Sequence, residues 1–371
     1  MPRFSRRSFL HLSAAAASAA AVFRGAAEAQ MAAAARPAAH SPNAVIIDSN
    51  ENPLGPCQSA RDAVAAIIPQ GGRYAFNLSV DLANTFAQSQ GLDPRWVRPI
   101  VGSTPGIALT VLAFTSAKKS YVTADPGYEY GIMLSENMGV RVAKVPLTKT
   151  YAHDVRAMLA AAPDAGLFYI CTPNNPTGTL TSHSDIEYLV ANKPKDSVVV
   201  IDEAYIHFSE AAQSTIDLVK AGKDVIVLHT MSKIYGLAGL RCGFIVARPD
   251  LMEKVMLRGG WNPMPVSAVV AAKASLADPQ LISERRAINS SVRQRTFDWL
   301  DRNGFSYIPS ESNCFMLDAK RPAQQLREAM AKENVLIGRI WPVLPTYARI
   351  TVGTEEEMEK FQAALQKVMK A

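Results

Sequence analysis

The amino-acid sequence predicts an α/β fold, in which a large domain with a mostly parallel seven-stranded sheet between helices precedes a small α+β domain. From about residue 97 to residue 246, short apolar runs alternate with amphipathic stretches, which is typical of βα units. After Pro265 the pattern becomes a long helical stretch, and short strand-like runs mixed with helices follow it. With 371 residues and 48% hydrophobic content, the chain can bury cores of this size.

The apolar runs of the first region predict the strands of the large domain, because each is bounded by residues that favour turns. The predicted strands are residues 97–101, 121–124, 140–145, 167–171, 198–202, 225–229 and 242–246. The predicted helices between them are residues 107–114, 129–137, 155–161 and 184–191. This domain is expected to cover residues 61–262.

The C-terminal region predicts a second, smaller domain over residues 263–371. Its long helical stretch extends to about Asn303 and is broken near Asp278, because Pro279 disfavours continuation of the helix. Strands are predicted at residues 305–308, 313–317, 335–337 and 348–352, and helices at residues 322–333 and 355–369.

The N-terminus resembles a twin-arginine export signal. Arg6 and Arg7 precede a Phe-Leu pair, an alanine-rich apolar stretch follows, and small residues suited to cleavage lie at 27–29. This order predicts a signal peptide over residues 1–29, a flexible arm over residues 30–60, and a bacterial protein that is periplasmic or otherwise exported. A short amphipathic or disordered tail is the alternative. A membrane-spanning helix is disfavoured, because the apolar stretch is short and interrupted by Arg24.

Charge and cysteine content argue against two other classes of function. The net charge of +6 is modest and its basic residues are scattered, so no nucleic-acid binding is expected. The four cysteines lie far apart without a CxxC pair, so no metal site is predicted, and we expect them to be buried small apolar residues. No stable membrane association is expected after export.

Lys233 lies in the motif that points most strongly to chemistry. It follows a predicted strand, with Thr230 and Ser232 just before it and the glycine-rich segment 236–243 after it. A lysine between hydroxyls and a glycine-rich loop is suited to form a Schiff base beside a phosphate, and Arg241 can clamp the same phosphate at two points. The alternative is a surface lysine in an ordinary loop.

Asp202 ends the predicted strand 198–202, at the edge where open α/β sheets build their sites. A carboxylate that faces a pyridine nitrogen would keep this nitrogen protonated, so that the ring can take up an electron pair. Tyr205 would then donate a hydrogen bond toward the phenolic oxygen of the same ring. The alternative for Asp202 is a helix N-cap or a turn acid.

Three further motifs follow predicted strands. Asn175 lies in a turn, residues 172–178, with two prolines and a glycine, and its amide can hydrogen-bond a ring oxygen. Ser103 and Thr104 begin a helix after Gly102, where free backbone N–H groups suit a phosphate. The ring of Tyr128 can stack on a flat cofactor. Taken singly, these could be an ordinary loop, plain N-caps and an ordinary tyrosine.

Together, and in this order, these motifs resemble the fold-type I pyridoxal 5'-phosphate-dependent aminotransferases of class I/II, and most closely the histidinol-phosphate aminotransferases. The resemblance extends from the string Asn-Glu-Asn-Pro at residue 50 to the string Arg-Ile-Thr-Val-Gly-Thr at residues 349–354. It implies that Lys233 forms the Schiff base and later moves the proton, and that Asp202 faces the pyridine nitrogen. It also implies that Asn175 and Tyr205 contact the phenolic oxygen, while Tyr128 covers the ring.

The resemblance also implies how the cofactor phosphate and the substrate are held. The residues around the phosphate would be Ser103, Thr104, Thr230, Ser232 and Arg241, joined by Tyr74 from the neighbouring subunit of a homodimer. Arg349 would bind the carboxylate of the substrate, or the phosphate of histidinol phosphate, with help from Arg339. Asn52 matches a segment that folds over the site. The sequence departs from the family pattern after Arg339, where Ile340-Trp341-Pro342 replaces a more polar continuation.

The resemblance implies a ping-pong transaminase that moves an amino group from an L-amino acid to a 2-oxo acid. An exported enzyme would rarely meet the biosynthetic intermediate histidinol phosphate, so we expect aromatic amino acids or histidine as donors and 2-oxoglutarate or pyruvate as acceptor. Trp261, Trp341 and Tyr347 could line the pocket or pack in a core or interface. Two alternatives stay open: an amino-acid-phosphate decarboxylase of the same fold, and a binding protein that has lost activity.

Overall fold

The computed structural model describes residues 43–259 and 263–370. The chain from Val45 onward forms one compact unit. The predicted signal peptide and Trp261 lie outside the described residues. Among the described residues, no helix is long and apolar enough to cross a membrane.

A seven-stranded sheet of mixed direction forms the centre, with the strand order β2-β8-β7-β6-β5-β3-β4. Its strands are β2 (Val97–Ile100), β3 (Ser120–Asp125), β4 (Val142–Pro146), β5 (Ala165–Cys171), β6 (Val198–Asp202), β7 (Val225–Thr230) and β8 (Gly243–Ala247). Only β8 runs in the opposite direction to the other six strands of this sheet, which confirms the predicted mostly parallel sheet. Strands β5 to β8 are buried along their whole length, as expected for strands covered on both faces.

Helices surround this sheet and connect its strands. They are α1 (Gln58–Ile67), α2 (Phe76–Ser89), α3 (Ser103–Phe114), α4 (Tyr130–Asn137), α5 (Val155–Ala161), α6 (His183–Asn192), α7 (Ile216–Lys220), α8 (Pro249–Met256) and α9 (Val266–Leu276), with short 3-10 turns at Ile68–Gln70, Pro94–Trp96 and Ile206–Phe208. Helix α1, which the sequence assigned in part to a flexible arm, packs against α9.

The C-terminal part contains two smaller sheets. Strands β9 (Ser306–Ile308), β10 (Cys314–Asp318) and β12 (Tyr347–Thr351) form an antiparallel sheet, and β1 (Val45–Ile47) pairs in parallel with β11 (Val335–Ile337). The helices here are α10 (Leu281–Arg302), α11 (Ala323–Lys332) and α12 (Glu355–Lys370). Strand β1 therefore brings the segment after residue 45 into the C-terminal part of the fold.

Two apolar clusters make up most of the core. The larger surrounds the seven-stranded sheet and includes Ala268 and Ala272 of α9, and the smaller joins Val45 and Ile47 to the C-terminal sheets. The clusters thus interleave along the chain, and α9 packs with the large sheet although it follows the predicted boundary after residue 262. The domain division itself stays a prediction.

Candidate active site

The carboxyl ends of β5, β6 and β7 lie side by side, with Cys171 opposite Asp202 and Asp202 opposite Leu228. Asp202 is buried, and its Oδ2 accepts a hydrogen bond from the Tyr169 hydroxyl at 2.8 Å, while Oδ1 accepts from the backbone of Ala204 at 3.1 Å. Burial raises the pKa of Asp202 to about 6, although these hydrogen bonds act in the opposite direction. The Asp202 carboxyl is thus fixed in position, and a cationic N–H partner would stabilise its ionised form.

Lys233 follows β7, and its Nζ donates a hydrogen bond to the backbone oxygen of Asn50 at 3.0 Å. Burial lowers the pKa of Lys233 to about 8, and the positive charge of Arg349 acts in the same direction. Roughly a tenth of the amine is therefore unprotonated at pH 7, far more than for an ordinary lysine. Such an amine can act as a nucleophile and as a base.

A group of hydrogen-bond donors lies at the start of α3. Arg241 donates through Nη1 to Ser232 Oγ at 3.2 Å and through Nη2 to the backbone oxygen of Val101 at 3.3 Å. Thr230 donates to Ser232 Oγ at 3.0 Å. A Cβ atom at Gly102 would lie 2.2 Å from Arg241 Nη2, so any side chain at residue 102 would force this guanidinium to shift. The N-terminus of the helix, the hydroxyls and the guanidinium are together suited to bind a phosphate.

The remaining predicted cofactor residues adjoin this group. The Thr104 and Tyr128 hydroxyls are 3.4 Å apart, which places Tyr128 beside the first turn of α3, where Ser103 also lies. Asn50 Nδ2 donates to the Tyr205 hydroxyl at 3.1 Å, and Lys233 Nζ lies 5.6 Å from the centre of the Tyr205 ring. The structure thus brings Tyr205 to the lysine and Tyr128 to the donor set.

Arg349 is a buried cation without a carboxylate partner among the described residues. Its Nη1 donates to Asn175 Oδ1 at 2.8 Å and its Nη2 to the backbone oxygen of Asp48 at 2.8 Å, while Nε has no hydrogen-bond partner in this part of the chain. Burial lowers the pKa of Arg349. An incoming carboxylate would satisfy the unmatched N–H of this buried guanidinium, which can bind a carboxylate at two points.

Arg339 lies beside Arg349 but is paired. Its Nη1 is 3.0 Å from Glu129 Oε2, in a partly exposed ion pair. The guanidinium carbons of Arg339 and Arg349 lie 5.2 and 5.5 Å from the centre of the Trp341 ring. Trp341 is only 1% exposed, and its Nε1 donates to the backbone oxygen of Gly127 at 3.0 Å. Trp341 is therefore a buried support for both arginines, packed in one apolar cluster with Tyr347.

Two predicted residues, Asn52 and Tyr74, lie outside these groups of contacts. Asn52 donates to the backbone oxygen of Ile234 at 3.0 Å and accepts from the backbone of Leu54, so it fixes its own segment beside the lysine loop. Tyr74 is 71% exposed and stacks on Phe76. Its contact with a neighbouring subunit stays a prediction.

Four contact residues are absent from the sequence-based prediction: Asp48, Asn50, Tyr169 and Glu129. Asn50 stands in the Asn-Glu-Asn string whose last residue was selected, so the string itself was a usable signal. Tyr169 lies inside an apolar strand, and nothing in its pattern distinguishes it from a core residue. Among the described residues, no cluster of His, Cys, Asp and Glu could hold a metal ion, and Cys57 is partly exposed while the other three cysteines are buried.

The sequence model of the family described as "Aminotransferase class I and II" matches residues 42–365. The chain is 34% identical over 340 residues to an aromatic amino acid aminotransferase of Cutibacterium acnes, covering 90% of this chain and 95% of the relative. It is also 34% identical over 325 residues to a histidinol-phosphate aminotransferase of Symbiobacterium thermophilum, covering 86% and 89%.

Solved structures of aminotransferases share the fold of this chain. The crystal structure of a putative histidinol-phosphate aminotransferase from Erwinia carotovora atroseptica superposes with a TM-score of 0.86 at 31% identity, covering 91% of this chain and 99% of that one. Histidinol-phosphate aminotransferase from Sinorhizobium meliloti, in complex with pyridoxal-5'-phosphate, superposes with a TM-score of 0.81 at 26% identity, covering 88% of this chain and 91% of that one. L-threonine-O-3-phosphate decarboxylase from Porphyromonas gingivalis shares the fold. It superposes with a TM-score of 0.77 at 22% identity, covering 88% of this chain and 100% of that one.

Proposed function

Because the chain belongs to the class I and II aminotransferases, which here means a pyridoxal-phosphate-dependent transaminase, we propose that its donors are L-amino acids with aromatic or imidazole side chains. The observation that carries amino transfer from an amino acid is Arg349, a buried guanidinium with an unmatched N–H in the neighbourhood of Lys233, where it can bind the α-carboxylate. The names of the relatives, which include aromatic amino acid and histidinol-phosphate aminotransferases, support this substrate class.

The residues present fit the cofactor. Lys233 would bond its carbonyl carbon, Asp202 would pair with its ring nitrogen, and the donor set at the start of α3 would hold its phosphate. When bound, pyridoxal phosphate supplies a protonated ring that takes up the electron pair released at the α-carbon of the substrate. Tyr169 keeps the Asp202 carboxyl fixed for this pairing through its 2.8 Å hydrogen bond.

The protein's own groups perform the binding and the proton transfer. Arg349 binds the α-carboxylate of the amino acid, and Asn175 fixes the orientation of this guanidinium. Lys233, freed when the substrate amine replaces it, accepts the α-proton at Nζ and later releases it, since its pKa of about 8 allows both steps near neutral pH. Water supplies the oxygen with which the donor leaves as a 2-oxo acid, and the cofactor would retain the amino group. A second 2-oxo acid, 2-oxoglutarate or pyruvate, then takes the amino group by the reverse steps.

The test is transamination by the purified holoenzyme, with pyruvate or 2-oxoglutarate as acceptor. The donors L-phenylalanine, L-tyrosine, L-tryptophan and L-histidine are followed by their 2-oxo acids, and histidinol phosphate by its oxo-alkyl phosphate. We expect aromatic or histidine oxo acids, and no product from Lys233→Ala. Failure of every donor with every acceptor would refute the proposed substrate class. Carbon dioxide release without oxo acid would support the decarboxylase alternative, in which both arginines must hold a distal phosphate.

We also propose that residues 1–29 direct export by the twin-arginine route. The paired arginines, the alanine-rich stretch and the small-residue site support this proposal. Replacement of Arg6 and Arg7 by lysine should keep the protein in the cytoplasm of a bacterial host. An unchanged distribution between periplasm and cytoplasm would contradict it.

A homodimer in which Tyr74 completes the neighbouring site is a further proposal. The exposure of Tyr74 on a segment next to α2 supports it, because an exposed aromatic pair is well suited to an interface. Sedimentation should give the mass of two chains, and Tyr74→Phe should weaken cofactor binding without separating them. A monomeric active enzyme would refute this proposal.

A further inference from the structure

We propose that Asn50 directs the hydroxyl of Tyr205 toward the cofactor: its side-chain amide donates to the tyrosine oxygen, so that the hydroxyl hydrogen is left for the phenolic oxygen of the ring. The inference rests on the proposed function, since it takes Tyr205 as the partner of that oxygen. Asn50 is in this case a positioning residue, because it acts on the cofactor through Tyr205.

Asn50 lies between two of the residues that would contact the cofactor. It is only 1% exposed, and its backbone oxygen accepts hydrogen bonds from Lys233 Nζ at 3.0 Å and from Asn313 Nδ2 at 3.2 Å. Its side chain contacts the Tyr205 hydroxyl. Its backbone has a φ of 53°, in the left-handed region that asparagine adopts more readily than most residues. The residue type therefore suits this backbone and leaves a polar side chain for Tyr205.

The neighbours of Asn50 fix which end of its amide faces Tyr205. The backbone N–H of Asn50 donates to Thr351 Oγ1 at 2.9 Å, and the Thr351 hydroxyl donates back to Asn50 Oδ1 at 3.2 Å. On the other side, Asn50 Nδ2 donates to Cys314 Sγ at 3.1 Å, and this thiol donates to the backbone oxygen of Pro176 at 3.8 Å. The amide oxygen thus faces Thr351, and the amide nitrogen faces Tyr205 and Cys314.

The hydroxyl of Tyr205 keeps its own hydrogen for another acceptor. Its oxygen accepts the Asn50 N–H at 3.1 Å, and within the described part of the chain it donates to no other protein group. Burial raises the pKa of Tyr205 well above its ordinary value, so the hydroxyl stays protonated near neutral pH. A phenol that accepts one hydrogen bond and remains protonated can donate one to an anionic oxygen.

The direction of this hydroxyl affects the proton on the nitrogen that joins Lys233 to the cofactor. An ionised phenolic oxygen of the cofactor attracts this proton, and a hydrogen bond donated by Tyr205 to the same oxygen weakens the attraction. Loss of the Tyr205 bond should therefore raise the pH at which the nitrogen loses its proton. This midpoint is measured from the visible absorbance of the holoenzyme and does not depend on turnover.

The experiment determines the absorbance midpoint of the wild type, Tyr205→Phe, Asn50→Asp and the double variant. Aspartate also tolerates a positive φ, but its ionised form only accepts hydrogen bonds, so it would take the Tyr205 hydrogen. Tyr205→Phe should raise the midpoint by about one pH unit, and Asn50→Asp by at least as much. The new carboxylate also acts through its charge. The shift caused by Asn50→Asp should therefore be about one unit smaller in the Tyr205→Phe background than in the wild type.

A second pair of variants leaves the charge of the site unchanged. Thr351→Val removes the hydroxyl that holds Asn50 Oδ1, so the amide can turn its oxygen toward Tyr205, and the midpoint should rise. Thr351→Ser keeps the hydroxyl and should keep the wild-type midpoint. All these variants retain the groups whose charges act on Lys233, which are Arg349, Cys314, Glu51 and Asp202.

The outcomes separate the role of Asn50 from the function of the site. A wild type that gains no visible absorbance with pyridoxal phosphate would refute the proposed function. If the absorbance appears, two results would refute only the role of Asn50: an unchanged midpoint in Tyr205→Phe, or an equal shift by Asn50→Asp in both backgrounds. Where Asn50→Asp does not fold, the threonine variants decide, and equal midpoints in Thr351→Val and Thr351→Ser would contradict the proposal.

Discussion

The Lys233 amine donates a 3.0 Å hydrogen bond to the backbone oxygen of Asn50, a residue 183 positions earlier in the chain. The side chain of Asn50 donates to the Tyr205 hydroxyl, and its backbone N–H donates to Thr351. One residue of the N-terminal segment thus connects the lysine, the tyrosine and strand β12. The segment 48–52 is therefore part of the site.

Lys233→Ala should abolish amino transfer, with a fall in kcat of at least about 10⁴-fold, because it removes the amine that would bond the cofactor and move the proton. The measurements are oxo-acid formation and the visible absorbance of the protein with pyridoxal phosphate. Circular dichroism should show the wild-type fold. A variant with more than a few per cent of wild-type kcat would show that another group transfers the proton.

Arg349→Gln should raise the pKa of Lys233 above about 8, since the positive charge of Arg349 acts with burial to lower it. The rate at which the protein bonds pyridoxal phosphate, followed by absorbance, should then rise with pH over a more alkaline range. The kcat/KM for L-phenylalanine should fall by about 100-fold or more. Arg349→Lys keeps the charge and should keep the pH range, so equal shifts in both variants would contradict this explanation.

Tyr169→Phe should raise the pKa of Asp202 above about 6, because the hydroxyl that favours the carboxylate form is removed while burial stays. Only the ionised carboxyl can pair with a protonated ring nitrogen. Cofactor binding by the cofactor-free protein should therefore weaken as pH falls through about 6 in the wild type, and at higher pH in the variant. Titration of pyridoxal phosphate affinity against pH tests this, and identical profiles would refute it.

Gly102→Ala should weaken cofactor binding at least about tenfold, because the new methyl group would lie 2.2 Å from Arg241 Nη2 and displace the guanidinium. It should also lower the free energy of unfolding by about 1 to 3 kcal/mol, since residue 102 has φ +89. Gly139→Ala is the matched control. Gly139 also has positive φ but no atom within 4 Å of its added Cβ, so only stability should suffer. Equal loss of cofactor affinity in both variants would show that backbone strain is the cause.

The strands of the large sheet could be predicted from the sequence because each is buried on both faces and reads as a continuous apolar run between turn residues. Strand β6, helix α5 and strand β11 have the predicted bounds. Helices α1 and α2 were missed, because α1 lies partly in a segment taken for a flexible arm. Only the tertiary structure shows that α1 packs against α9.

The site residues that carry motifs were predictable, whereas those that act through distant contacts were not. The strings around Lys233, Asp202 and Asn175 are local, and the structure brings these residues to one edge of the sheet or next to it. The partner of Arg339 is Glu129, which is far away in the sequence and adjoins a motif without belonging to it. Trp341 was expected as a possible pocket wall, and its burial under two guanidinium groups depends on the fold of the C-terminal sheets.

The parallel pairing of β1 with β11 limits the order in which parts of the fold can form during translation. Val45–Ile47 leaves the ribosome early, but its partner Val335–Ile337 is translated near the end of the chain. The nascent protein can therefore complete the seven-stranded sheet before β1 has anything to pair with, and the backbone N–H of Asn50 lacks its Thr351 acceptor until β12 has been made. An incomplete polypeptide that stops before residue 335 thus lacks both the strand partner of β1 and the guanidinium of Arg349, so it can form the large sheet without forming a complete site.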